Sequence, residues 1–235
     1  MVVIFLSLLV PAYNEQSTLE DVTRRCIALG NKHADQFEVV ICDDGSKDAT
    51  WQIIQELCER HPEVQSLRHE VNLGIGVTFE DLYQAARGDI VFMVPGDGQY
   101  PPEHIERCLP LMNEYDAVVL ARTSKNYTFY RHIVSFCYRW LPRVLFGVDL
   151  YDPGSVKCFK REIITSIPIV SRSAFAEAER FIRAAKRGYS IGKINIVQEK
   201  RSGGKARGAK PSFVLGSLRD MLKLWWQLAV LHRKP

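Results

Sequence analysis

Apolar runs alternate with helical patterns through the first half of the chain. Runs rich in apolar residues predict four β-strands, at residues 2–10, 37–42, 64–69 and 89–94. The segments between them repeat with a helical period and predict helices at residues 17–29, 49–60 and 77–86. Because helices separate strands that are apolar throughout, the pattern indicates an α/β fold with a mostly parallel sheet covered on both faces.

Local signals define where several of these elements begin and end. Pro11 is predicted to end the first strand. Ser17 followed by Glu20 predicts a capping box at the start of the first helix. Ser46 or Asp48 is the predicted cap of the second helix.

Polar clusters follow three of the predicted strands directly. They are residues 13–15 (YNE), 43–46 (DDGS) and 97–99 (DGQ). Open parallel sheets bind ligands outside the carboxyl ends of their strands. The sequence therefore predicts a binding site at this edge of the sheet.

The net charge of +4 hides a strong asymmetry between the two halves of the chain. Residues 1–120 contain 8 Lys/Arg and 20 Asp/Glu, whereas residues 121–235 contain 23 Lys/Arg and 7 Asp/Glu. A strongly basic half indicates an anionic partner, which from charge alone is a nucleic acid, a membrane surface or a phosphorylated substrate.

Composition excludes several classes of protein. With 46% hydrophobic and 25% charged residues, the 235-residue chain is expected to fold as one globular domain rather than remain disordered. The six cysteines are widely separated and lack zinc-ligand spacing, which favours a reduced cytosolic protein. The N-terminal apolar run is too short to span a membrane and has no basic leader or cleavage site, and no transmembrane helix is predicted elsewhere.

Several motifs together resemble the inverting family-2 glycosyltransferases of GT-A fold. They are PAYNE (11–15), DDGSKDAT (43–50), NLGIG (72–76) and GDGQYPPE (96–103). Further strings resemble the branch that contains the dolichol-phosphate mannosyltransferases and polyprenyl-phosphate glycosyltransferases: ARTSKN (121–126), RHIVS (131–135), DPGSVKCFKRE (152–162), AEAERFIRAAKRGYSI (176–191) and RSGGKARG (201–208). The resemblance covers residues 3–210 and implies a mixed, mostly parallel sheet flanked by helices.

The resemblance implies a nucleotide pocket and a metal site at the strand ends. Pro11, Tyr13, Glu15 and Asp44 are expected to line the pocket of a nucleoside-diphosphate sugar. Asp97, with Gln99, is expected to bind Mg²⁺ or Mn²⁺, which would neutralise the departing diphosphate. The family carries two aspartates on this loop, and the first of the two positions is Pro95 here, so the metal site has one carboxylate fewer.

The same resemblance assigns basic residues to the phosphate groups. Arg122, Arg131, Arg201 and Arg207 are the main candidates, with Lys157 and Lys205 as further ones, and the glycine-rich loop at 200–210 is expected to fold over the donor. Glu179 is expected to face the donor or acceptor, while Glu177 would point elsewhere on the same helix. Asp152 is expected to orient a sugar or an arginine, or to begin a turn.

Two segments of the second half have the composition of helices that lie in a bilayer interface. Residues 127–148 and 215–231 combine aromatic and aliphatic residues with Arg and Lys. Packing on the sheet is the alternative for both, and dimer packing is a further one for the second, so the oligomeric state stays open. We expect a glycosyltransferase domain at 1–211, an amphipathic helix at 212–235, and peripheral attachment to the cytoplasmic face of a membrane.

The function expected from the resemblance is transfer of a hexose, with inversion, from GDP-mannose or UDP-glucose to a polyprenyl or dolichyl phosphate. One alternative is transfer to a hydroxyl of a soluble or glycan acceptor, which would need Glu179 or Asp152 as a general base. A second alternative, suggested by Pro95, is a non-catalytic protein that binds nucleotide sugars. Nucleic acid is not an expected partner because no recognised binding motif is present.

Overall fold

A single seven-stranded sheet organises the computed structural model, which describes residues 5–123, 129–197 and 211–231, the side chains of 129–133 and 211–213 excepted. The strands are β1 (Phe5–Ala12), β2 (Gln36–Asp43), β3 (Val64–Arg68), β4 (Ile90–Met93), β5 (Ala117–Arg122), β6 (Lys157–Lys160) and β7 (Ile191–Ile196). Their order across the sheet is β3-β2-β1-β4-β6-β5-β7.

The sheet is parallel except at one strand. β1 pairs in parallel with β2 and β4, and β2 with β3. β6 runs antiparallel to both of its neighbours, β4 and β5, while β5 and β7 are parallel. Because the single reversal occurs between β4 and β5, the carboxyl ends of β1, β2, β4 and β5 all lie at one edge. The mixed, mostly parallel α/β sheet expected from the sequence is confirmed.

Helices cover both faces of the sheet. They are α1 (Leu19–His33), α2 (Thr50–Arg60), α3 (Ile75–Ala85), α4 (Ile105–Cys108), α5 (Phe129–Phe146), α6 (Arg161–Ser166), α7 (Ala176–Lys186) and α8 (Pro211–Trp225). Short 3₁₀ turns at Pro102–His104 and Leu109–Asn113 flank α4, and a π-helical turn at Trp226–Val230 continues α8.

Each face of the sheet has its own apolar core. Along β1, Leu8 and Val10 pack with α1 and α2 on one face, whereas Leu9 packs on the other face with α3, α6, α7 and α8. Met221 and Leu224 of α8 are buried in this second core. The alternation explains why the strands are apolar at almost every position: both of their sides are covered.

Three predicted boundaries differ from the structure. The residue that precedes α2 is Ala49 rather than Ser46 or Asp48, although Asp48 Oδ1 accepts from the Thr50 N–H at 3.0 Å. β1 continues through Pro11, which pairs in register with Cys42. Proline has no N–H to donate, but no hydrogen bond of the sheet is lost at this position. The chain after β4 uses the carbonyl oxygen of Pro11, which accepts from the Gly96 N–H at 3.1 Å. α1 begins at Leu19, after Thr18 and with no side-chain cap, so Ser17 does not form the predicted capping box.

No helix within the described ranges has the length and hydropathy needed to cross a bilayer. All six cysteines are free thiols.

Candidate active site

Hydrogen bonds join the loops that follow β1 and β2. The backbone N–H of Asn14 donates to Ser46 Oγ at 2.9 Å, and the Lys47 N–H donates to Asn14 Oδ1 at 2.7 Å. One residue further, the Glu15 N–H donates to Thr50 Oγ1 at 2.9 Å. Asn14 has φ of 57°, a left-handed conformation that asparagine adopts more readily than most residues. Two predicted site segments therefore form one rigid unit.

The chain after β4 is attached to this unit. Gly96 donates its N–H to the Pro11 carbonyl, and Thr18 Oγ1 donates to the Gly96 carbonyl at 2.7 Å. Pro11 and Glu15 are buried, and Tyr13 is half-buried. The structure thus brings three predicted nucleotide-site residues to the strand end that carries Asp97.

Asp44, predicted as an acceptor for the nucleotide, has its carboxylate occupied by protein donors. Its Oδ1 lies 2.8 Å from His69 Nδ1 and accepts from the Leu73 N–H at 2.8 Å. Its Oδ2 accepts from Asn72 Nδ2 at 2.8 Å and from the Gly74 N–H at 3.0 Å. A carboxylate has about four acceptor positions, so these four contacts fill it. In this arrangement Asp44 fixes the loop at 69–74, and its contact with the nucleotide stays a prediction.

His69 lies between two carboxylates. Its Nδ1 faces Asp44, and its Nε2 is 2.9 Å from Asp81 Oδ2. Burial by itself would lower the pKa of His69, but the hydrogen bonds with Asp44 and Asp81 outweigh it and raise that pKa above its ordinary value of 6.5. Through these two contacts His69 joins α3, which carries Asp81, to the end of β2.

The predicted metal residues share one turn. The Gln99 N–H donates to Asp97 Oδ1 at 3.0 Å, and Gly98 between them has φ of 70°. Pro95 supplies no ligand, and no group of three or more His, Cys, Asp or Glu able to hold a metal ion occurs in the part of the chain that the structure describes. Asp97 and Gln99 offer two oxygen ligands, which suits a hard cation that also takes diphosphate oxygens and water.

Arg122 ends β5 and is held by Asp152. Its Nε and Nη2 donate to the two carboxylate oxygens of Asp152 at 2.7 and 2.8 Å, and its backbone N–H donates to Oδ2 at 3.1 Å. Gly154 lies close by, because a Cβ there would stand 3.2 Å from Arg122 Nη2. Of the alternatives for Asp152, the geometry matches orientation of an arginine at the start of a turn.

Lys157 and Glu177 form a buried pair next to this arginine. Lys157 Nζ donates to Glu177 Oε2 at 3.0 Å and to the carbonyl oxygens of Ser155 and Pro153 at 2.8 and 3.2 Å. These contacts use all three of its ammonium hydrogens, so Lys157 does not present a donor to a phosphate, in contrast to the prediction.

The positions of Glu177 and Glu179 are the reverse of those predicted. Glu177 lines the cleft described below, whereas Glu179 accepts from the Ser171 N–H at 2.9 Å and from Arg183 Nε at 2.8 Å outside that cleft. Two residues on a helix are separated by about 200°, so only one of the pair can face the site. The helical period places Glu177 and Glu179 on opposite faces of α7, but it does not indicate which of these faces lies toward the cleft.

A cleft of about 310 Å³ lies between these groups and three helices, α3, α5 and α8. Arg122, Asp152, Lys157 and Glu177 lie at its polar end. Its other walls come from α3, α5 and α8 and include Ile75, Phe79, Val134, Tyr138 and Val214. Pro95 and Tyr100 also line it, so the cleft extends to the loop that carries Asp97 and Gln99.

The family model for glycosyl transferase family 2 matches residues 7–161, which contain most of this site. The chain belongs to glycosyl transferase family 2.

Two proteins with established names are similar to this chain in sequence. Glycosyltransferase AglD of Haloferax volcanii is 27% identical over 97% of the chain. The undecaprenyl-phosphate 4-deoxy-4-formamido-L-arabinose transferase of Pseudomonas savastanoi pv. phaseolicola is 30% identical over 72% of it. The chain spans 38% and 54% of the length of these two relatives.

Solved structures identify the fold. Glucosyl-3-phosphoglycerate synthase from Mycobacterium tuberculosis, in complex with Mn²⁺, UDP and phosphoglyceric acid, matches 94% of the chain with a TM-score of 0.74 and 20% identity. The match covers 78% of that chain, and the shared fold is GT-A.

The remaining predicted phosphate ligands lie outside the residues that can be described. Arg201, Lys205 and Arg207 fall in the segment 198–210, and the Arg131 side chain is among those excepted in α5.

The outer faces of α5 and α8 are apolar and exposed. Phe136, Trp140 and Val144 recur at intervals of four along α5, and Leu218, Leu222, Trp226 and Val230 do so along α8 and its π-turn. Arg139, Arg143, Arg219 and Lys223 are exposed on the same two helices. α5 contains no acidic residue, and Asp220 of α8 is buried. We call this surface the α5–α8 face.

Proposed function

We propose that this protein transfers a hexose from a nucleoside-diphosphate sugar to a polyprenyl phosphate, with inversion at the anomeric carbon. The observation that carries the proposal is the cleft. It begins at the strand ends where the family binds its donor and ends between α5 and α8, whose outer faces are apolar and basic. An amphiphilic phosphate acceptor has the polarity that such a cleft accommodates.

Donor binding is assigned to the rigid unit at the ends of β1, β2 and β4. Tyr13 would stack on the base, and Glu15 would accept hydrogen bonds from the nucleotide. Asp97 and Gln99 would hold a Mg²⁺ or Mn²⁺ ion, which when bound neutralises charge on the departing diphosphate. The donors we expect are of the GDP-mannose or UDP-glucose type.

The chemical step needs positioning more than proton transfer. A phosphate oxygen of the acceptor attacks the anomeric carbon as the bond from that carbon to the diphosphate breaks, and the nucleoside diphosphate leaves with the electron pair. A lipid phosphate is already an anion at pH 7, so no general base is required. This agrees with the cleft carboxylates, since Asp152 is bound to Arg122 and Glu177 to Lys157.

The described charges of the cleft sum to zero. Arg122 and Lys157 are balanced by Asp152 and Glu177. Binding a diphosphate and a lipid phosphate together requires additional positive charge. We assign it to Arg131, Arg201, Lys205 and Arg207, on the strength of their motif positions.

The α5–α8 face is proposed to rest on the cytoplasmic surface of a membrane. Its exposed Trp140 and Trp226 have the amphipathic character of interfacial residues, and its arginines and lysine suit anionic headgroups. Peripheral binding there would place the acceptor's isoprenoid chain in the bilayer while its phosphate enters the cleft.

The proposal is tested by incubating the protein with a short-chain polyprenyl phosphate and a panel of GDP- and UDP-sugars, with and without Mn²⁺. We expect a lipid-linked sugar with at least one donor, detected by mass spectrometry. Donor binding measured by calorimetry without any lipid-linked product would overturn the assignment of the acceptor.

A further inference from the structure

A buried ion pair lies beside the turn that holds Arg122. Lys157 at the start of β6 is almost fully buried, with 1% of its side chain exposed, and Glu177 of α7 has 10% exposed. Neither residue belongs to an element that binds the nucleotide under the proposed function. The contacts of the pair lie instead with the turn that precedes β6.

The turn at 152–155 connects this pair with Arg122. Asp152 at its start binds the Arg122 guanidinium through both carboxylate oxygens. The carbonyl oxygens of Pro153 and Ser155, further along, accept from Lys157 Nζ. The Ser155 N–H closes the turn on the Asp152 carbonyl at 3.1 Å.

Glu177 anchors the lysine to a helix that is itself fixed. Its Oε2 takes the third ammonium hydrogen of Lys157. Burial, followed by the charge of Glu177, raises the pKa of the neighbouring Tyr83 hydroxyl. The Tyr83 ring in turn lies 4.8 Å from the guanidinium of buried Arg180. Lys157 and Glu177 thereby tie the turn to α7, in addition to the turn's own hydrogen bond between Ser155 and Asp152.

Burying two charges is costly, and replacing such a pair by neutral residues of similar shape is often neutral or stabilising. Stability alone therefore does not account for the pair. We propose that Lys157 and Glu177 are positioning residues that hold the 152–155 turn, and through Asp152 the Arg122 guanidinium, in the geometry used for sugar transfer. The inference rests on the proposed function for the role of Arg122, but the placement of the turn can be measured separately.

The test compares K157M/E177Q, which removes both charges with little change of shape, with the native protein. We expect hydrogen exchange at the backbone amides of Arg122 and Ser155, measured by NMR, to be about tenfold faster in the variant. A displaced arginine is expected to lower kcat about 10- to 100-fold, while KM for the donor stays within about twofold. E177Q alone, which keeps the carbonyl contacts of Lys157, provides a milder variant if the double one folds poorly.

The matched control is K160M. Lys160 lies three residues further along β6, pairs with Asp116 at 2.8 Å and does not line the cleft. Exchange at Arg122 and Ser155 and the value of kcat should stay unchanged in K160M.

A double-mutant cycle with R122M separates positioning from a general structural effect. If the pair acts through Arg122, adding K157M/E177Q to R122M lowers kcat no further. Independent losses that multiply would overturn the inference, and so would unchanged amide exchange in K157M/E177Q. If exchange at Arg122 and Ser155 is faster in K157M/E177Q but the native protein glycosylates no lipid phosphate, the pair still positions the turn and the proposed function is wrong.

Discussion

The two ends of the site are built in different ways. At the donor end, the loops after β1 and β2 are joined to each other by short hydrogen bonds, and Asp44 has its carboxylate filled by the loop at 69–74. At the proposed acceptor end, the described residues of the cleft include two ion pairs, Arg122–Asp152 and Lys157–Glu177, among apolar walls from α3, α5 and α8. The proposed donor end is held by many hydrogen bonds within the protein, whereas the proposed acceptor end depends on a few charges that come from separate segments of the chain.

This difference implies unequal consequences of mutation. Removing one contact at the donor end leaves several others that hold the same loop. Removing Arg122 at the acceptor end takes away half of the described positive charge of the cleft and leaves Asp152 without its guanidinium partner.

The largest effect is therefore expected from R122M. A single charge-stabilising donor typically contributes about 10²- to 10³-fold to the rate, so we expect kcat for transfer to polyprenyl phosphate to fall by about that factor. The kcat of R122K should lie between those of the native protein and R122M, because lysine keeps the charge but not the bidentate contact with Asp152. Steady-state kinetics measure this effect, with R60M as the control because Arg60 is an exposed arginine on α2. Equal activity of R122M and R60M would contradict the prediction.

D97N should have the next largest effect. It removes the one carboxylate of the proposed metal turn, and we expect the apparent Mn²⁺ affinity of the donor complex to fall about 10- to 100-fold. Calorimetric titration of Mn²⁺ in the presence of nucleoside diphosphate measures this. Q99A, which removes the amide oxygen, should have a smaller effect, and equal Mn²⁺ affinity in D97N and the native protein would remove this turn from the metal site.

W140S/W226S should weaken membrane binding about tenfold without changing the fold, because both rings are exposed on the α5–α8 face. Sedimentation with anionic vesicles measures the partition coefficient, and V71S removes an exposed apolar residue outside this face as a control. Transfer to a short, water-soluble acceptor should be unaffected. Equal partitioning of the native protein and both variants would mean that the face packs against something other than lipid.

The smallest effect concerns His69 at the donor end. Because its folded-state pKa is raised, protonated His69 contributes stability that is fully present below its ordinary pKa of 6.5 and is lost as pH rises through the folded-state value. As pH rises from below 6.5 through the folded-state pKa of His69, the urea midpoint of the native protein should fall relative to that of H69Q. In D81N, which keeps only the Asp44 contact, the urea midpoint should fall by a smaller amount over the same pH range. Parallel pH profiles for native protein and H69Q would rule out the bridge to Asp44 and Asp81.

The sequence predicted the donor end better than the acceptor end, for a physical reason. The strands and the polar clusters at 13–15, 43–46 and 97–99 are local patterns, and the parallel sheet necessarily gathers them at one edge. Whether Glu177 or Glu179 faces the cleft depends on how α7 rotates against the sheet. That Lys157 is occupied by carbonyl oxygens depends on the turn before β6. Both follow from contacts between distant segments, which periodicity does not encode.

The late start of α1 and the length of β1 are smaller examples of the same limit. Ser17 has the sequence of a capping box, but the helix starts at Leu19, where the Glu15 carbonyl accepts from the Leu19 N–H. Tertiary contacts of the Pro11–Thr18 segment with Gly96 outweighed the local preference.

The most direct test of the central claim is a comparison of two acceptors that differ only in the nucleophile. At saturating donor, the protein would be given a polyprenyl phosphate or the corresponding polyprenol, and the product and its anomeric configuration determined by NMR. We predict an inverted sugar phosphate diester from the polyprenyl phosphate and no glycosylated polyprenol. Transfer to the polyprenol hydroxyl with none to the phosphate would contradict it.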